Sequence, residues 1–301
     1  MLGDKEIVEF NLKLPDQDSE DTTYDPTSVA DITNEFATAA FRFGHSLIPN
    51  SVLLALSPVR TEAISCPIKD TFFKFEDFNI GSDLSGKAWQ NIVRGIVEQE
   101  SPMMDASINN AVLDFLYCEE ECEIPGGFSE DLAARNIQRG RDHGLQPYTQ
   151  YRTHCGLTAL TDWATRPEEI NEEDWKNLEM AYSKVDDIDL FVGGLAEISN
   201  DDGLVGPTFG CLIGKQFQKL MSGDRFFFTH SSLGVQNEKG LPSRSKEIIR
   251  NRTLGDIICD NTDATRTPRR VMEKSPSNDL IKCSDRVGID FGAILEELNP
   301  S

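Results

Sequence analysis

Two dense blocks carry the side chains with chemistry to offer. The first runs Asn34-Glu35-Phe36-Ala37-Thr38-Ala39-Ala40-Phe41-Arg42-Phe43-Gly44-His45-Ser46-Leu47-Ile48. The second runs Ala134-Arg135-Asn136-Ile137-Gln138-Arg139-Gly140-Arg141-Asp142-His143-Gly144-Leu145-Gln146. His45 is one of only four histidines, with His143, His154 and His230. An imidazole on an apolar helix beside Phe41 and Phe43 is either a satisfied core residue or a metal ligand. Its company favours ligation. Gly44 lets a flat ring approach, and Arg42, three residues back, lies on nearly the same helix face. An imidazole with a nearby guanidinium and aromatic walls suits a haem, an apolar disc with two propionates.

Asn136 is a poor helix former inside a helix. It reads either as an exposed helix asparagine or as an acceptor for the far ring N–H of a ligating histidine. Such a partner fixes the tautomer and strengthens the imidazole as a donor to iron. Arg139 follows at i+3, so Arg42 and Arg139 could neutralise two carboxylates through bidentate contacts. His143 tempts as a base, but Arg141-Asp142-His143-Gly144 reads as a helix end tied to the following turn. His154 and His230 stand in polar settings that suggest no catalysis. No GxSxG motif occurs, and no Ser/His/Asp arrangement follows from spacing.

Several elements must position these groups. Residues 1–30 read as an irregular lead-in. Asp31 stands where a helix N-cap belongs, with Glu35 in the first turn. Ile32, Phe36, Ala39, Ala40, Phe43 and Leu47 then recur at three- and four-residue steps, which predicts an amphipathic helix that Pro49 stops. Residues 57–86 look loop-like. Helices are predicted over Trp89 to Glu98 and Asp105 to Tyr117. Gly126-Gly127 breaks the chain, and Ser129 caps a helix from Leu132 to Gly140 that holds Asn136. Further helices are predicted at 147–155 and 172–184. Residues 190–197 are apolar and Gly-broken, without the pattern of a phosphate loop. Pro207 opens the clearest helix, with Phe209, Leu212, Ile213, Phe217, Leu220 and Met221 on one face. Helices near Ser243–Arg250 and Leu254–Asp260 precede a polar, loop-rich tail from Thr262. Strand patterns are scarce, and the class is mainly α.

Composition narrows the function. The chain has 301 residues, 39% of them hydrophobic, and a net charge of -22. Such an acidic chain suits neither nucleic acid nor an anionic membrane surface as partner. No apolar run reaches the ~18 residues of a membrane span, and the first residues carry no apolar signal-peptide core. Seven cysteines are present, none in a CxxC pair. Cys118 and Cys122, with three residues between them in an acidic stretch, are a weak metal pair. Wide spacing favours disulfides and an oxidising compartment, and an odd count leaves one thiol over. Asn251-Arg252-Thr253 is a lone glycosylation sequon. A missing leader and a leftover cysteine fit a chain cut from a longer secreted protein.

The two blocks, in this order and 91 positions apart from His45 to Asn136, resemble the animal haem peroxidase (peroxidase–cyclooxygenase) superfamily, in the manner of its chorion-peroxidase and peroxinectin-like members. Residues 189–197, 206–227 and 257–262 resemble its GG segment, long late helix and C-terminal element. The resemblance runs over 24–286, with 1–23 as lead-in and 287–301 as tail. It implies a mainly α, multihelical peroxidase fold present in its proximal and C-terminal part. It implies haem b, with covalent attachment in the full-length protein left open. His45 matches the proximal iron ligand, Asn136 its hydrogen-bond partner, and Arg42 and Arg139 the arginines near the propionates. Cys155 with Cys211, and Cys259 with Cys283, match family disulfides, whereas Cys66, Cys118 and Cys122 match none.

The family keeps its distal His, distal Arg, haem-linking carboxylates and calcium loop upstream of the proximal helix. Here 44 residues precede His45, and none is a histidine. The resemblance therefore implies no distal catalytic residue and no calcium site in this chain. In a complete enzyme it implies reduction of hydrogen peroxide with oxidation of a small donor substrate, a secreted location and a role in oxidative stress. The missing N-terminal part of the same protein would be a partner. The alternatives are a non-enzymatic haem-binding or adhesion protein derived from a peroxidase, and an α-helical interaction protein that binds no haem.

Overall fold

The computed structural model describes residues 1–15, 21, 23–55, 63–73, 88–118, 129–199, 202–231, 240–273 and 278–298. In chain order the helices are α1 (Asp4–Glu9), α2 (Asn34–Thr38), α3 (Ala88–Ile96), α4 (Asn110–Leu113), α5 (Leu132–Asp142), α6 (Tyr148–His154), α7 (Glu172–Ala181), α8 (Leu190–Ala196), α9 (Pro207–Gly223), α10 (Ser243–Arg250), α11 (Leu254–Asn261) and α12 (Phe291–Leu298). A 3-10 stretch, Ala40–Leu47, follows α2. The strands form two antiparallel pairs: β1 (Ser51–Ala55) with β2 (Ala63–Pro67), and β3 (Arg266–Pro268) with β4 (Leu280–Lys282). The fold is mainly α, as expected. No described helix is long and apolar enough to cross a membrane.

The chain forms two compact units. The first comprises Met1–Ile48, Pro102–Ile108 and Asp131–Gly240. Its core gathers Phe36, Phe43, Tyr148, Phe191, Phe209 and Ile213. Helix α9 starts with Pro207 at its first turn, where a missing N–H costs nothing. It buries Phe209, Leu212 and Ile213. Its N-terminus is met by the buried Glu197 carboxylate, which accepts from Thr208 N at 2.7 Å and Thr208 Oγ1 at 2.6 Å. Tyr148 Oη donates to Glu197 at 2.7 Å, and Arg152 bonds both Glu197 and Glu169. Helix α8 packs so closely that a Cβ on Gly193 would stand 2.3 Å from the Tyr148 ring, and one on Gly194 2.2 Å from Phe209. The Cys155–Cys211 disulfide joins the residue after α6 to α9.

The second unit comprises Pro49–Ser101, Asn109–Glu130 and Leu241–Ser301. Helix α3 lies against β1, and the buried Arg94 guanidinium donates to Ala55 O at 3.0 Å. Thr253 and Asp256 form a capping box at α11, with Thr253 N donating to Asp256 Oδ2 at 2.7 Å. Arg286 bonds Asp256 at 2.9 Å, and Cys259–Cys283 closes a loop of 24 positions.

Several sequence expectations need correction. The lead-in contains α1, held by Gly3 N donating to Glu6 Oε2 at 3.0 Å and by Phe10 seated against Gly214. Asp31 is not an N-cap. Gln216 takes both Asp31 O (2.9 Å) and Thr33 N (2.8 Å), which holds 31–33 extended, so α2 begins at Asn34 with Thr33 as cap residue. The long helix to Pro49 is also broken. Ala39, at φ -138°, ends α2, and the rest winds as 3-10. Only Asn110–Leu113 of the predicted helix 105–117 is helical, since Asp105 folds back on Ser107 N and Tyr117 is left-handed at φ 57°. Asp131, not Ser129, caps α5, accepting from Ala134 N at 2.9 Å. Strand β2 lies within the loop-like 57–86, and the tail holds β3, β4 and α12. Cys122 and Gly126-Gly127 lie outside the described residues.

Candidate haem-holding site

The cap at Asp131 fixes where α5 starts and hence which way each of its residues faces. Asn136 turns inward and is fully buried, while Arg135, Gln138 and Arg139 stay exposed. The 3-10 winding after α2 brings His45, near the end of that stretch, towards it. Asn136 Nδ2 lies 2.7 Å from His45 Nδ1, across 91 positions of sequence. Arg42 Nη1 donates to Asn136 Oδ1 at 2.8 Å, and Arg42 Nε donates to Ala37 O at 3.1 Å. Three of the four expected residues therefore meet in one chain of contacts.

The direction of that chain differs from the sequence expectation. A guanidinium can only donate, so the amide oxygen must face Arg42 and the amide NH₂ must face the ring. Asn136 here donates to Nδ1 rather than accepting from it, and the ring proton resides on Nε2. The expected acceptor role requires the amide to turn over.

The side chain of Arg139, the fourth residue, makes no hydrogen bond or ion pair among the described residues and is exposed. It is nevertheless close in charge. Burial lowers the Arg42 pKa first, and the Arg139 charge lowers it further. Burial also lowers the pKa of the half-buried His45, with the Arg42 charge second, so the imidazole is held neutral. No carboxylate among the described residues pairs with Arg42 or Arg139. Two neighbouring guanidinia without counter-charge suit a ligand with two carboxylates.

Space is open at the neighbouring Gly44. A Cβ on Gly44 would meet nothing within 4 Å. The Phe191 ring stands 6.5 Å from the His45 ring, edge towards face. A cavity of about 90 Å³, bounded by Ala39, Asn136, Leu145, Pro147, Asp189 and Phe191, takes a few waters but no macrocycle.

The remaining histidines behave structurally. His143 follows α5 as its C-cap; its Nδ1 lies 2.8 Å from Asn34 Oδ1, and Asn34 Nδ2 donates to His143 O at 3.1 Å. Gly144 then takes φ 65°, the left-handed turn that glycine allows. His154 Nε2 lies 3.0 Å from Lys215 Nζ. His230 is buried against Tyr24 and Phe227. Sequence reasoning missed Asp189, which accepts from Arg141 Nε (3.0 Å) and Nη2 (2.7 Å) and from Tyr182 Oη (2.9 Å) immediately before α8. It also missed the Tyr148–Arg152–Glu197 network, whose one local signal was the i,i+4 spacing of Tyr148 and Arg152. Both implied disulfides are present. Cys118 is disulfide-bonded too, and Cys66 is buried on β2.

A family model for animal haem peroxidase matches residues 1–272. The peroxidase-like protein 3 of Lottia gigantea is 32% identical over 265 residues, covering 86% of this chain and 79% of that protein. The peroxidasin homolog pxn-1 of Caenorhabditis elegans is 35% identical over 245 residues, covering 80% of this chain and 18% of that protein. The chain thus spans under a fifth of one relative's length and about four fifths of the other's. Among solved structures, peroxidase A of Dictyostelium discoideum superposes with a TM-score of 0.66 at 30% identity, covering 88% of this chain and 46% of that one. A match over most of the sequence and a like fold lead to one conclusion: the chain belongs to the animal haem peroxidase family.

Proposed function

We propose that His45, Asn136, Arg42 and Arg139 form the proximal, haem-holding side of a peroxidase. The observation that carries this reading is the 2.7 Å contact between Asn136 and His45, with Arg42 on the same amide. The residues fit the group: a neutral, half-buried imidazole, open space at Gly44 and two guanidinia without carboxylate partners among the described residues. His45 presents Nε2 as ligand, and Phe191 walls one side of the ring. Arg42 and Arg139 would neutralise the group's two carboxylates. Ligation needs the ring proton on Nδ1, so Asn136 then offers its oxygen, which is open to it once Arg42 donates elsewhere. When bound, haem b would supply the peroxide chemistry, and His45 with Asn136 would set the donor strength of the imidazole that holds it.

Hydrogen peroxide and a small donor are the substrates that this reading assigns. The disulfides favour an oxidising compartment, so we place the protein outside the cell. The test is to titrate the purified chain with ferric haem. The wild type should give a Soret band shifted from free haem. His45→Ala should lose that shift, and Asn136→Ala should retain it with weaker binding. Identical spectra for wild type and His45→Ala would overturn the reading.

A further inference from the structure

We propose that Asn251 carries an N-linked glycan. This inference rests on the reading of the protein as extracellular, and it concerns the second unit alone. Among the asparagines of the chain, Asn251 alone has a hydroxyl residue two positions on and no proline between, as Asn251-Arg252-Thr253. The sequon occupies the turn between α10 and α11. Asn251 is the C-cap residue of α10, where its backbone N–H bonds Glu247 O. Its side chain is exposed and makes no hydrogen bond among the described residues. The two residues after it are held from the other side. Arg252 turns inward, its Nη1 donating to Val287 O at 2.8 Å and its Nη2 paired with Asp260. Thr253 caps α11 and accepts from Arg286 Nη1 at 3.2 Å. The turn is thus anchored through its second and third residues, while its first projects to solvent. A bulky sugar on Nδ2 displaces no side-chain hydrogen bond among the described residues.

The neighbourhood also gives the sugar something to cover. Ile249, Leu254 and Ile257 flank the turn and are 39%, 45% and 51% exposed. These apolar side chains sit within six positions of Asn251. A glycan rooted between them in sequence would shield exposed apolar side chains that otherwise invite association.

The transfer balances without a redox partner. The co-reactant is a lipid pyrophosphate-linked oligosaccharide. The Asn251 Nδ2–C1 sugar bond forms, and the C1–O bond to pyrophosphate breaks. The lipid pyrophosphate leaves with the electron pair, and one amide proton passes to a base of the transferase. The chain supplies the amide and the Thr253 hydroxyl.

The test is translation of the full chain behind an added secretory leader, in the presence of endoplasmic-reticulum microsomes. Protease protection identifies translocated chains, so entry is scored apart from modification, and native secretion of the protein is not assumed. The protected wild type should run one glycan heavier than Asn251→Gln and collapse onto it after peptide N-glycosidase. Thr253→Ser, which keeps both hydroxyl and cap, should retain the shift. A protected wild type that co-migrates with Asn251→Gln would overturn the proposal. Secreted from cultured cells, Asn251→Gln should show more aggregate by size exclusion than wild type; equal aggregate would overturn the shielding role.

Discussion

An amide can serve an imidazole from either end, and the end it offers decides which ring nitrogen is left bare. Arg42 settles the matter here by occupying the oxygen of Asn136. Arg42→Leu should therefore let the amide turn and move the ring proton from Nε2 to Nδ1. Long-range ¹⁵N–¹H correlation spectra of the haem-free chain would read this directly, and an unchanged tautomer would refute Arg42 as the orienting group. His45 itself should stay neutral until the pH falls below the ordinary histidine value of ~6.5, because burial and then Arg42 lower its pKa. Below that value the unfolded chain takes the proton before the folded one does. Folding stability should thus decline as the pH falls through this range, and His45→Gln should flatten the decline in denaturant titrations at stepped pH. The identities of these residues were legible in the sequence, because two blocks fixed the candidates. The direction of the hydrogen bond was not, since it depends on a donor reaching Asn136 from 94 positions away.

Helices α6, α8 and α9 meet with almost no spare room. Gly193→Ala would push a methyl into the Tyr148 ring, and Gly194→Ala one into Phe209. Each should cost about 1–3 kcal/mol, visible as a lower Tm, despite the better helix propensity of alanine. Glu197→Ala would leave the fully buried Arg152 without its innermost partner, at about 3–5 kcal/mol. A Tm within a degree of wild type for Glu197→Ala would sink this account of the network. The helices with a strong apolar face and a clear start, such as α9 with Pro207, were legible to within a residue or two. The 3-10 stretch was not, because its apolar spacing of three and four fits either winding. The start of α2 was hidden for a tertiary reason: Gln216, from α9, claims the backbone of Asp31 and Thr33.

Across the whole chain, two described disulfides each close a loop, over 56 and 24 positions. Replacing either pair with serines should cost roughly 3–4 kcal/mol in the chain-entropy picture, measured by urea denaturation against the oxidised wild type. Fold class and family were legible from composition and motif order, whereas the small strand pairs were not, since runs of three to five residues leave little periodicity. The arginine pair sits within a molecule of net charge -22. Attraction at the site is local, and repulsion by the envelope is long-ranged. A doubly anionic ligand therefore meets an uphill approach before a downhill landing. Added salt, with a Debye length near 10 Å at 0.1 M, dims the far field more than the near one. Capture of such a ligand should speed up as ionic strength rises from very low values, the reverse of what a cationic protein would show.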